Sequence, residues 1–132
     1  MKKLLIVLIL FFSYDAFSQT AKDYFERAYE KDENGDYYGA ISDYTKAIEL
    51  DPDDADTYYN RGNAKDNLKD HYGAISDYNK AIEIKPDYAK AYHNRSITKE
   101  EIGDLKGACD DAKKAINLGN TSSQKWLADN CN

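Results

Sequence analysis

Two histidines and two cysteines are the residues of this 132-residue chain best suited to metal binding or nucleophilic catalysis. They are His71, His93, Cys109 and Cys131. No two of them stand about two to five residues apart, the separation that pairs of zinc ligands show in structural sites. Catalysis also requires titratable groups that converge on one point, and these positions do not indicate convergence. We therefore predict no catalytic residue, no metal site and no cofactor.

Neighbouring carboxylates are a second source of possible acid–base chemistry. The candidate pairs are Asp53 with Asp54, Asp43 with Glu49, and Glu100 with Glu101. Two carboxylates act as acid and base only where a dry pocket separates their pKa values, and nothing in the sequence predicts such a pocket. We interpret these pairs as solvated helix faces, so the chain is not expected to be an enzyme.

The first 18 residues differ in composition from the rest of the chain. Lys2 and Lys3 precede an apolar run from Leu4 to Phe12, and the small residues Ala16 and Ser18 follow. This order is typical of a secretory signal peptide, here cleaved after residue 18. The apolar run gives roughly 14 Å of helix, too short for the ~30 Å core of a membrane, so an uncleaved anchor is the disfavoured alternative. We predict an exported protein, periplasmic or secreted, with no membrane insertion after cleavage.

The chain is acidic. Its formal net charge is −6, and it becomes about −7 without the two lysines and one aspartate of residues 1–18. An acidic surface without a basic cluster repels phosphate groups, so nucleic acid is not an expected partner. A basic or neutral polypeptide is the easier partner.

An internal repeat organises residues 19–132. Residues 36–44 read DYYGAISDY, and residues 70–78 read DHYGAISDY, an offset of 34. A third, more diverged copy follows at the same spacing, with its turn at Gly103 and Asp104. Apolar residues recur at helical spacing within each copy, whereas prolines at positions 52 and 86 prevent the helices from continuing.

Each copy therefore contains two helices, and the residues form one domain over 19–132. The predicted helices lie at about 21–34, 37–50, 55–68, 71–84, 89–102 and 105–118. The corresponding repeats span about 21–54, 55–88 and 89–120.

The 34-residue helix–turn–helix pattern resembles the tetratricopeptide repeat (TPR) family over nearly all of residues 19–132. The family's aromatic position holds Tyr24, Tyr58 and Tyr92, and the small position where two helices cross holds Ala28, Gly62 and Ser96. The resemblance implies an all-α, right-handed solenoid of three TPR repeats with a C-terminal capping helix. Short exported TPR proteins of the Bacteroidota are similar in having such a closing helix.

Three departures from the family pattern affect the second half of each first helix and the last repeat. The leucine position holds Arg27, Arg61 and Arg95, and the tyrosine position after it holds Lys31, Lys65 and Lys99. We expect the stems of these side chains to pack while their charged heads stay in water. In the third copy Ala112 replaces an aromatic residue, which a terminal repeat tolerates when something other than a repeat covers it.

A closing helix is predicted at about 122–131. Gly119 can end the sixth helix in a left-handed conformation, and Thr121 with Gln124 forms a capping box that would begin the next one. Trp126 and Leu127 are then expected to cover the third repeat.

The two cysteines suit a disulfide bond. Cys109 and Cys131 each lie about ten residues from the turn between the last two helices, so an antiparallel hairpin brings them level. Export implies an oxidising compartment, which favours the bond. Two free, packed thiols are the alternative.

TPR arrays are similar to one another in lining a concave groove with their first helices, and the resemblance extends this groove to the present chain. The predicted peptide-binding residues are Lys22, Phe25, Tyr29, Tyr59, Asn60, Asn63, Lys90, His93, Asn94 and Ile97. Asparagine can donate to and accept from the backbone of an extended peptide, and tyrosine offers rigid apolar contact. Two alternatives stay open: the asparagines are surface residues kept by duplication, and Phe25 and Tyr29 are buried by packing.

TPR co-chaperones that bind a C-terminal carboxylate use a clamp of five lysine, asparagine and arginine residues. Asn60 and Lys90 match this clamp, whereas Phe25, Tyr29 and Asn94 stand at its other positions. Losing two of three cations removes most of the attraction for a carboxylate, so a carboxylate-clamp co-chaperone is the less favoured function.

We predict a protein–protein interaction module, an adaptor that is monomeric alone and binds a protein or peptide segment in its groove. The alternative is a self-associating structural component of an envelope complex, because repeat arrays can stack end to end. The capping helix argues against that alternative.

Overall fold

The computed structural model describes residues 19–131, and these residues form a series of antiparallel helix pairs. The six long helices are α1 (Ala21–Glu33), α2 (Tyr37–Leu50), α3 (Ala55–Asn67), α4 (His71–Ile84), α5 (Ala89–Glu101) and α6 (Leu105–Asn117). A 3₁₀ turn (Thr121–Ser123) and the short helix α7 (Gln124–Asn130) follow. The all-helical TPR solenoid is confirmed, and each of the six predicted pair helices ends within one residue of its observed end. The predicted signal peptide, residues 1–18, lies outside the described residues.

The second helix of every pair begins with the same cap. An aspartate carboxylate accepts a hydrogen bond from a glycine N–H three residues later: Asp36 from Gly39 at 3.0 Å, Asp70 from Gly73 at 3.1 Å, and Asp104 from Gly107 at 2.9 Å. A Cβ on the glycine would lie 2.1–2.2 Å from the carboxylate, which explains why glycine follows each capping aspartate at this spacing. The cap is local, so the sequence repeat reproduces it three times.

Small residues allow the two helices of a pair to cross closely. Ala28 and Ser96 are buried at the predicted crossing position, and so is Gly62. A Cβ on Gly62 would lie 2.8 Å from the ring of Tyr78, so that ring fills the space where a larger residue would stand. The core is otherwise built mainly of alanine and tyrosine, with Tyr44 and Tyr78 almost fully buried. Their large rings fill the space between helix faces that are lined by alanine.

One carboxylate per repeat is buried and held by two cations. The three aspartates, each 4% exposed, are Asp43, Asp77 and Asp111. Asp43 accepts from Arg27 at 2.6 and 2.7 Å and from Lys31 at 2.8 Å. The other repeats use Arg61 with Lys65 and Arg95 with Lys99 in the same way. Our expectation that these arginine and lysine heads stay in water is wrong, as is the interpretation of Asp43 as a solvated carboxylate, because the buried aspartate requires paired cations.

The arginines also join successive repeats. Arg61 Nη1 donates to Thr45 Oγ1 of the preceding repeat at 3.2 Å, and Arg95 Nη1 donates to Asn79 Oδ1 at 2.7 Å. Arg27 has no preceding repeat among the described residues, and its side chain is 43% exposed against 17% and 14% for the other two. Each arginine after the first therefore links its own pair to the one before it.

The C-terminal segment folds back on α6. Gly119 adopts φ +98° as expected, but the predicted capping box of Thr121 and Gln124 is wrong. Asn120 accepts from the N–H of Ser122 at 3.1 Å instead, since a 3₁₀ turn precedes α7. The disulfide between Cys109 and Cys131 is confirmed, with Cα atoms 5.8 Å apart.

Among the described residues, no helix is long and apolar enough to cross a membrane.

Candidate functional site

A concave pocket of about 490 Å³ lies across the first helices of the three repeats. Ten of its lining residues come from α1, α3 and α5, and one comes from α4. They are Tyr29, Asp32, Glu33, Tyr59, Asn60, Asn63, Asp66, Asn67, Tyr78, Asn94 and Ile97. The pocket is open to solvent along the helices, which suits an extended ligand better than a small enclosed one.

Six of the ten predicted groove residues line this pocket: Tyr29, Tyr59, Asn60, Asn63, Asn94 and Ile97. Tyr29 and Ile97 are 49% and 42% exposed, so both offer apolar surface that the chain itself leaves uncovered. They stand on α1 and α5, on opposite sides of the central helix α3. The pocket therefore has an apolar contact at each side and a polar floor between them.

The other four predicted residues do not line this pocket. Phe25 packs edge-on against Tyr44 with ring centroids 5.6 Å apart, as the packing alternative required. Lys22 is exposed and pairs with Glu26 at 3.5 Å. Lys90 is exposed and does not line the pocket.

His93 lies on α5 and contacts the 3₁₀ turn that follows α6. Its Nδ1 is hydrogen-bonded to Ser123 Oγ at 2.7 Å, and Ser123 is buried. Burial lowers the pKa of His93, because the charged imidazolium loses solvation there. The residue helps to fasten the segment after α6 to the first helix of the third repeat.

A hydrogen-bonded network forms the floor between α3 and α5. Asn94 Nδ2 donates to Asn63 Oδ1 at 2.8 Å and to the hydroxyl of Tyr59 at 3.0 Å. Tyr78 donates its hydroxyl to the same Asn63 oxygen at 2.7 Å. Burial raises the pKa of Tyr78, so the phenol stays protonated and remains a donor. These asparagines are structural members of the repeat interface as well as lining residues.

Asn60 stands 34 residues before Asn94 but makes no comparable network. Its Nδ2 donates to the backbone carbonyl of Asp56 at 2.8 Å. Phe25 and Tyr29 occupy the positions that Tyr59 and Asn63 occupy one repeat later, so the amide acceptor and one hydroxyl are missing. The side chains between α1 and α3 consequently form fewer hydrogen bonds with one another than those between α3 and α5.

One end of the pocket is acidic. Asp32 and Glu33 lie in the last turn of α1, and Asp66 lies near the end of α3. Burial, and then the neighbouring charge of Glu33, raise the pKa of Asp32. The residues that line the pocket include no lysine, arginine or histidine to balance these carboxylates.

Sequence reasoning missed Tyr78, Asn67 and the three carboxylates as lining residues. Asn67 could have been found, because it stands four residues after Asn63 and so shares its helix face. Tyr78 could not, because its position in the pattern indicates core, and only the tertiary packing exposes its hydroxyl to the pocket floor.

Two family profiles match the chain, one described as "TPR repeat" over residues 33–69 and one as "Tetratricopeptide repeat" over residues 55–88. No curated protein matches it significantly in sequence.

Solved structures match over most of the chain. The first TPR of Spaghetti (RPAP3), bound to the HSP90 peptide SRMEEVD, is 30% identical with a TM-score of 0.80, over 85% of this chain and 90% of that one. The TPR2B domain of yeast Sti1, in a complex with pHsp70, is 28% identical with a TM-score of 0.77, over 85% and 93%. The Arabidopsis OM64 TPR domain is 26% identical with a TM-score of 0.79, over 83% and 95%.

Proposed function

The chain belongs to the tetratricopeptide repeat family, and from this premise we propose that it is an exported adaptor that holds an extended polypeptide segment across α1, α3 and α5. TPR domains of its fold bind peptides, as the Spaghetti and Sti1 structures record for those proteins. The observation that carries the proposal is the open pocket of about 490 Å³ with Tyr29 and Ile97 exposed at its two sides. A ligand must be long enough to reach from α1 to α5 to cover both.

The floor of the pocket suits a peptide backbone. Asn60 and Asn67 are lining amides outside the Asn94 network, so each can present an acceptor and at least one N–H donor to an amide group of the ligand. Tyr59 adds a ring held between Tyr78 and Tyr88, at centroid distances of 6.0 and 5.0 Å. A ring fixed in this way loses little conformational freedom when a ligand packs on it.

The pocket is poorly suited to a C-terminal carboxylate. At the clamp positions, Phe25 is packed on Tyr44, Lys90 lies outside the lining, and Asn94 is hydrogen-bonded within the floor. The acidic end of the pocket opposes an anionic ligand further. We therefore propose internal segments of a polypeptide, rather than acidic C-termini, as the bound class.

Binding rather than catalysis is proposed for the same pocket. A TPR repeat scaffold is typically non-enzymatic. The lining residues contain no serine, cysteine, lysine or histidine that could serve as a nucleophile or its base. The disulfide between Cys109 and Cys131 supports the export part of the proposal, because such bonds persist in oxidising compartments.

A displayed library of random peptides, selected on the purified protein, tests the proposal. We expect enriched peptides whose affinity falls about tenfold or more in the Tyr29→Ala, Ile97→Ala double variant, since both side chains are exposed contacts. Tyr72→Ala and Leu105→Ala, which remove exposed side chains outside the pocket, form the matched control and should bind as the wild type does. Failure to enrich any peptide, or equal loss in both double variants, would overturn the proposal.

A further inference from the structure

The first repeat contains two buried polar atoms without a hydrogen-bond partner. The equivalent atoms of the second repeat are both hydrogen-bonded. Tyr44 is fully buried, and its hydroxyl has no hydrogen-bond partner. The equivalent hydroxyl of Tyr78 donates to Asn63. Tyr29 stands where Asn63 would be needed, so the acceptor is absent from the first repeat.

Asp32 shows the same difference. Its Oδ1 atom is buried without a partner, whereas Asp66, one repeat later, accepts from His71 Nδ1 at 2.8 Å. Tyr37 occupies the position of His71 in the first repeat and supplies no such donor. A buried oxygen without a donor is unfavourable, and it is rare in native proteins unless a ligand or water satisfies it.

The unpaired groups are at one place, the end of the pocket formed by α1. The electrostatic neighbours of the Tyr44 hydroxyl are Asp32, Tyr29 and Glu33, which all line the pocket. The C-terminal ends of α1 and α3 also lie at this side, and helix C-termini carry partial negative charge. A carboxylate at a helix C-terminus interacts unfavourably with the helix dipole, so Asp32 and Glu33 do not stabilise α1 through that dipole.

A cationic side chain fits this end of the pocket. A lysine ammonium or an arginine guanidinium has several N–H donors and no acceptor, so it can donate to the carboxylate of Asp32, which lines the pocket. Either cation gains from Glu33 and the helix ends, and the face of an exposed tyrosine such as Tyr29 can contact its stem. A neutral amide would satisfy one acceptor but leave the negative potential unbalanced.

We propose that this end of the pocket, lined by Asp32, Glu33 and Tyr29 beside the buried hydroxyl of Tyr44, binds a lysine or arginine side chain of the polypeptide held in the groove. The inference rests on the proposed function, since it names the chemistry of one residue in the bound segment. The proposed site binds segments with a basic residue at that point more tightly than segments with glutamate or aspartate there. Asp32 is the main recognition group, and Glu33 contributes through charge.

A set of immobilised short peptides tests the inference, using one neutral sequence with lysine, arginine, alanine or glutamate placed at each position in turn. We expect lysine or arginine at one position to raise binding about tenfold over alanine, and glutamate to lower it. Asp32→Asn, which keeps the shape of the side chain, should abolish this preference, so that the lysine, arginine and alanine peptides bind the variant alike. Asp53→Asn, which removes an exposed charge outside the pocket, should leave the preference unchanged.

The outcomes separate the two proposals. If no peptide binds at all, the proposed function fails. If peptides bind without preferring a basic residue, or if the preference survives in Asp32→Asn, the inference about the cation is wrong and the groove function stands. Asp32→Lys provides a second variant, in which we expect glutamate to become the preferred residue at the same position, and circular dichroism verifies that each variant is folded.

Discussion

The buried aspartates Asp43, Asp77 and Asp111 show how a polar residue can be part of the core of a small repeat. Each lies between an arginine that binds it through two nitrogens and a lysine on the next turn of the same first helix. The Arg27 hydrogen bonds lower the pKa of Asp43 to about 2 against the cost of burial, and Lys31 adds to the effect. Breaking such a unit leaves a buried charge without a partner, which is more costly than never having formed it.

Replacing Asp43 by asparagine should therefore destabilise the protein and change its acid sensitivity. The pKa is about 2 in the folded state and 3.8 otherwise, so the carboxylate contributes about 2 kcal/mol above pH 4 and loses that contribution as the pH falls towards 2. We expect urea unfolding at pH 7 to show a loss of about 2 kcal/mol in Asp43→Asn, and the difference from wild type to shrink at low pH. Exposed Asp53→Asn is the control, and an equal loss there would contradict the assignment.

Lys69 is the single described non-glycine residue with a left-handed backbone, at φ 65°. Gly35 and Gly103 occupy the same turn in the other repeats with φ 80° and 83°, so the turn requires this conformation. A side chain is strained there by its Cβ.

Lys69→Gly should accordingly raise the free energy of unfolding by about 0.5–1 kcal/mol, the relief of strain less the entropy that glycine loses on folding. Urea unfolding measures the gain. Lys69→Ala shortens the side chain but keeps the Cβ, so a similar gain in that variant would show that the backbone is not the cause.

At the scale of elements, α7 depends on its attachments. It has seven residues and no buried one, and an isolated helix of that length is not stable in water. Its attachments are the disulfide from Cys109 to Cys131 and the hydrogen bond of 2.8 Å from Trp126 Nε1 to Glu100, while His93 holds the preceding turn. The covalent bond fixes the residue that follows the last turn of α7.

The double variant Cys109→Ser, Cys131→Ser should release α7 while α1 to α6 stay folded. The bond closes a loop with a sequence separation of 22, which is worth roughly 3 kcal/mol in the chain-entropy model. Hydrogen exchange should show loss of protection in α7 alone, and the emission of Trp126 should shift towards that of an exposed indole. Unchanged protection in α7 would mean that packing suffices to hold it.

The arginine links predict coupling between neighbouring repeats. Arg95 Nη1 donates to Asn79 of the second repeat while Nε and Nη2 hold Asp111 of the third. Arg95→Lys retains the charge but has too few donors in the right geometry to keep both contacts. A double-mutant cycle with Asn79→Ala should give a coupling free energy of about 0.5–1 kcal/mol. Arg61→Lys combined with Asn79→Ala should be additive, because that pair makes no contact.

At the scale of the whole molecule, residues 19–131 form a linear array in which each pair of helices packs on the next, and the two ends of this described part differ. The C-terminal end is covered by the 3₁₀ turn and α7. At the other end a cavity of about 380 Å³ lies between Tyr24, Lys46, Glu49 and Leu50, with Leu50 56% exposed. Stability in such an array is a sum of neighbour contacts, so the pair with the fewest opens most easily.

We expect α1 to lose hydrogen-exchange protection before α3 does. The helix packs on α2 and α3 from one side, whereas α3 lies between two pairs. Amides in the middle of α1 should exchange about tenfold faster or more under native conditions, and mass spectrometry of peptic fragments measures this. Equal protection in both helices would instead indicate that the array unfolds as one cooperative unit.

Because Asp32 and Tyr44 belong to the first pair, a bound peptide that carries the basic residue should increase hydrogen-exchange protection most in α1.

The sequence by itself determined the helices and their pairing, because these depend on local signals that repeat every 34 residues. Capping aspartates, turn glycines and prolines act within a few positions, and apolar spacing assigns the face that each helix buries. The two cysteines could be paired from their equal distance to one turn. The predicted capping box at Thr121 was wrong because the side chain of Asn120 caps the segment instead. The sequence pattern does not show which of these two neighbouring residues forms the cap.

Only the tertiary structure decided which polar residues are buried, paired or left without a partner. The sequence predicts both Asp43 and Asp53 as solvated carboxylates, yet Asp43 is buried between two cations and Asp53 is exposed. Asn60 and Asn94 share a repeat position but differ in their hydrogen bonds. Asn94 bonds to Tyr59 and Asn63 of the preceding repeat, whereas Phe25 and Tyr29 stand at those two positions in the repeat before Asn60. The fate of a polar group depends on donors and acceptors from elsewhere in the chain, and that geometry exists only after the helices have packed.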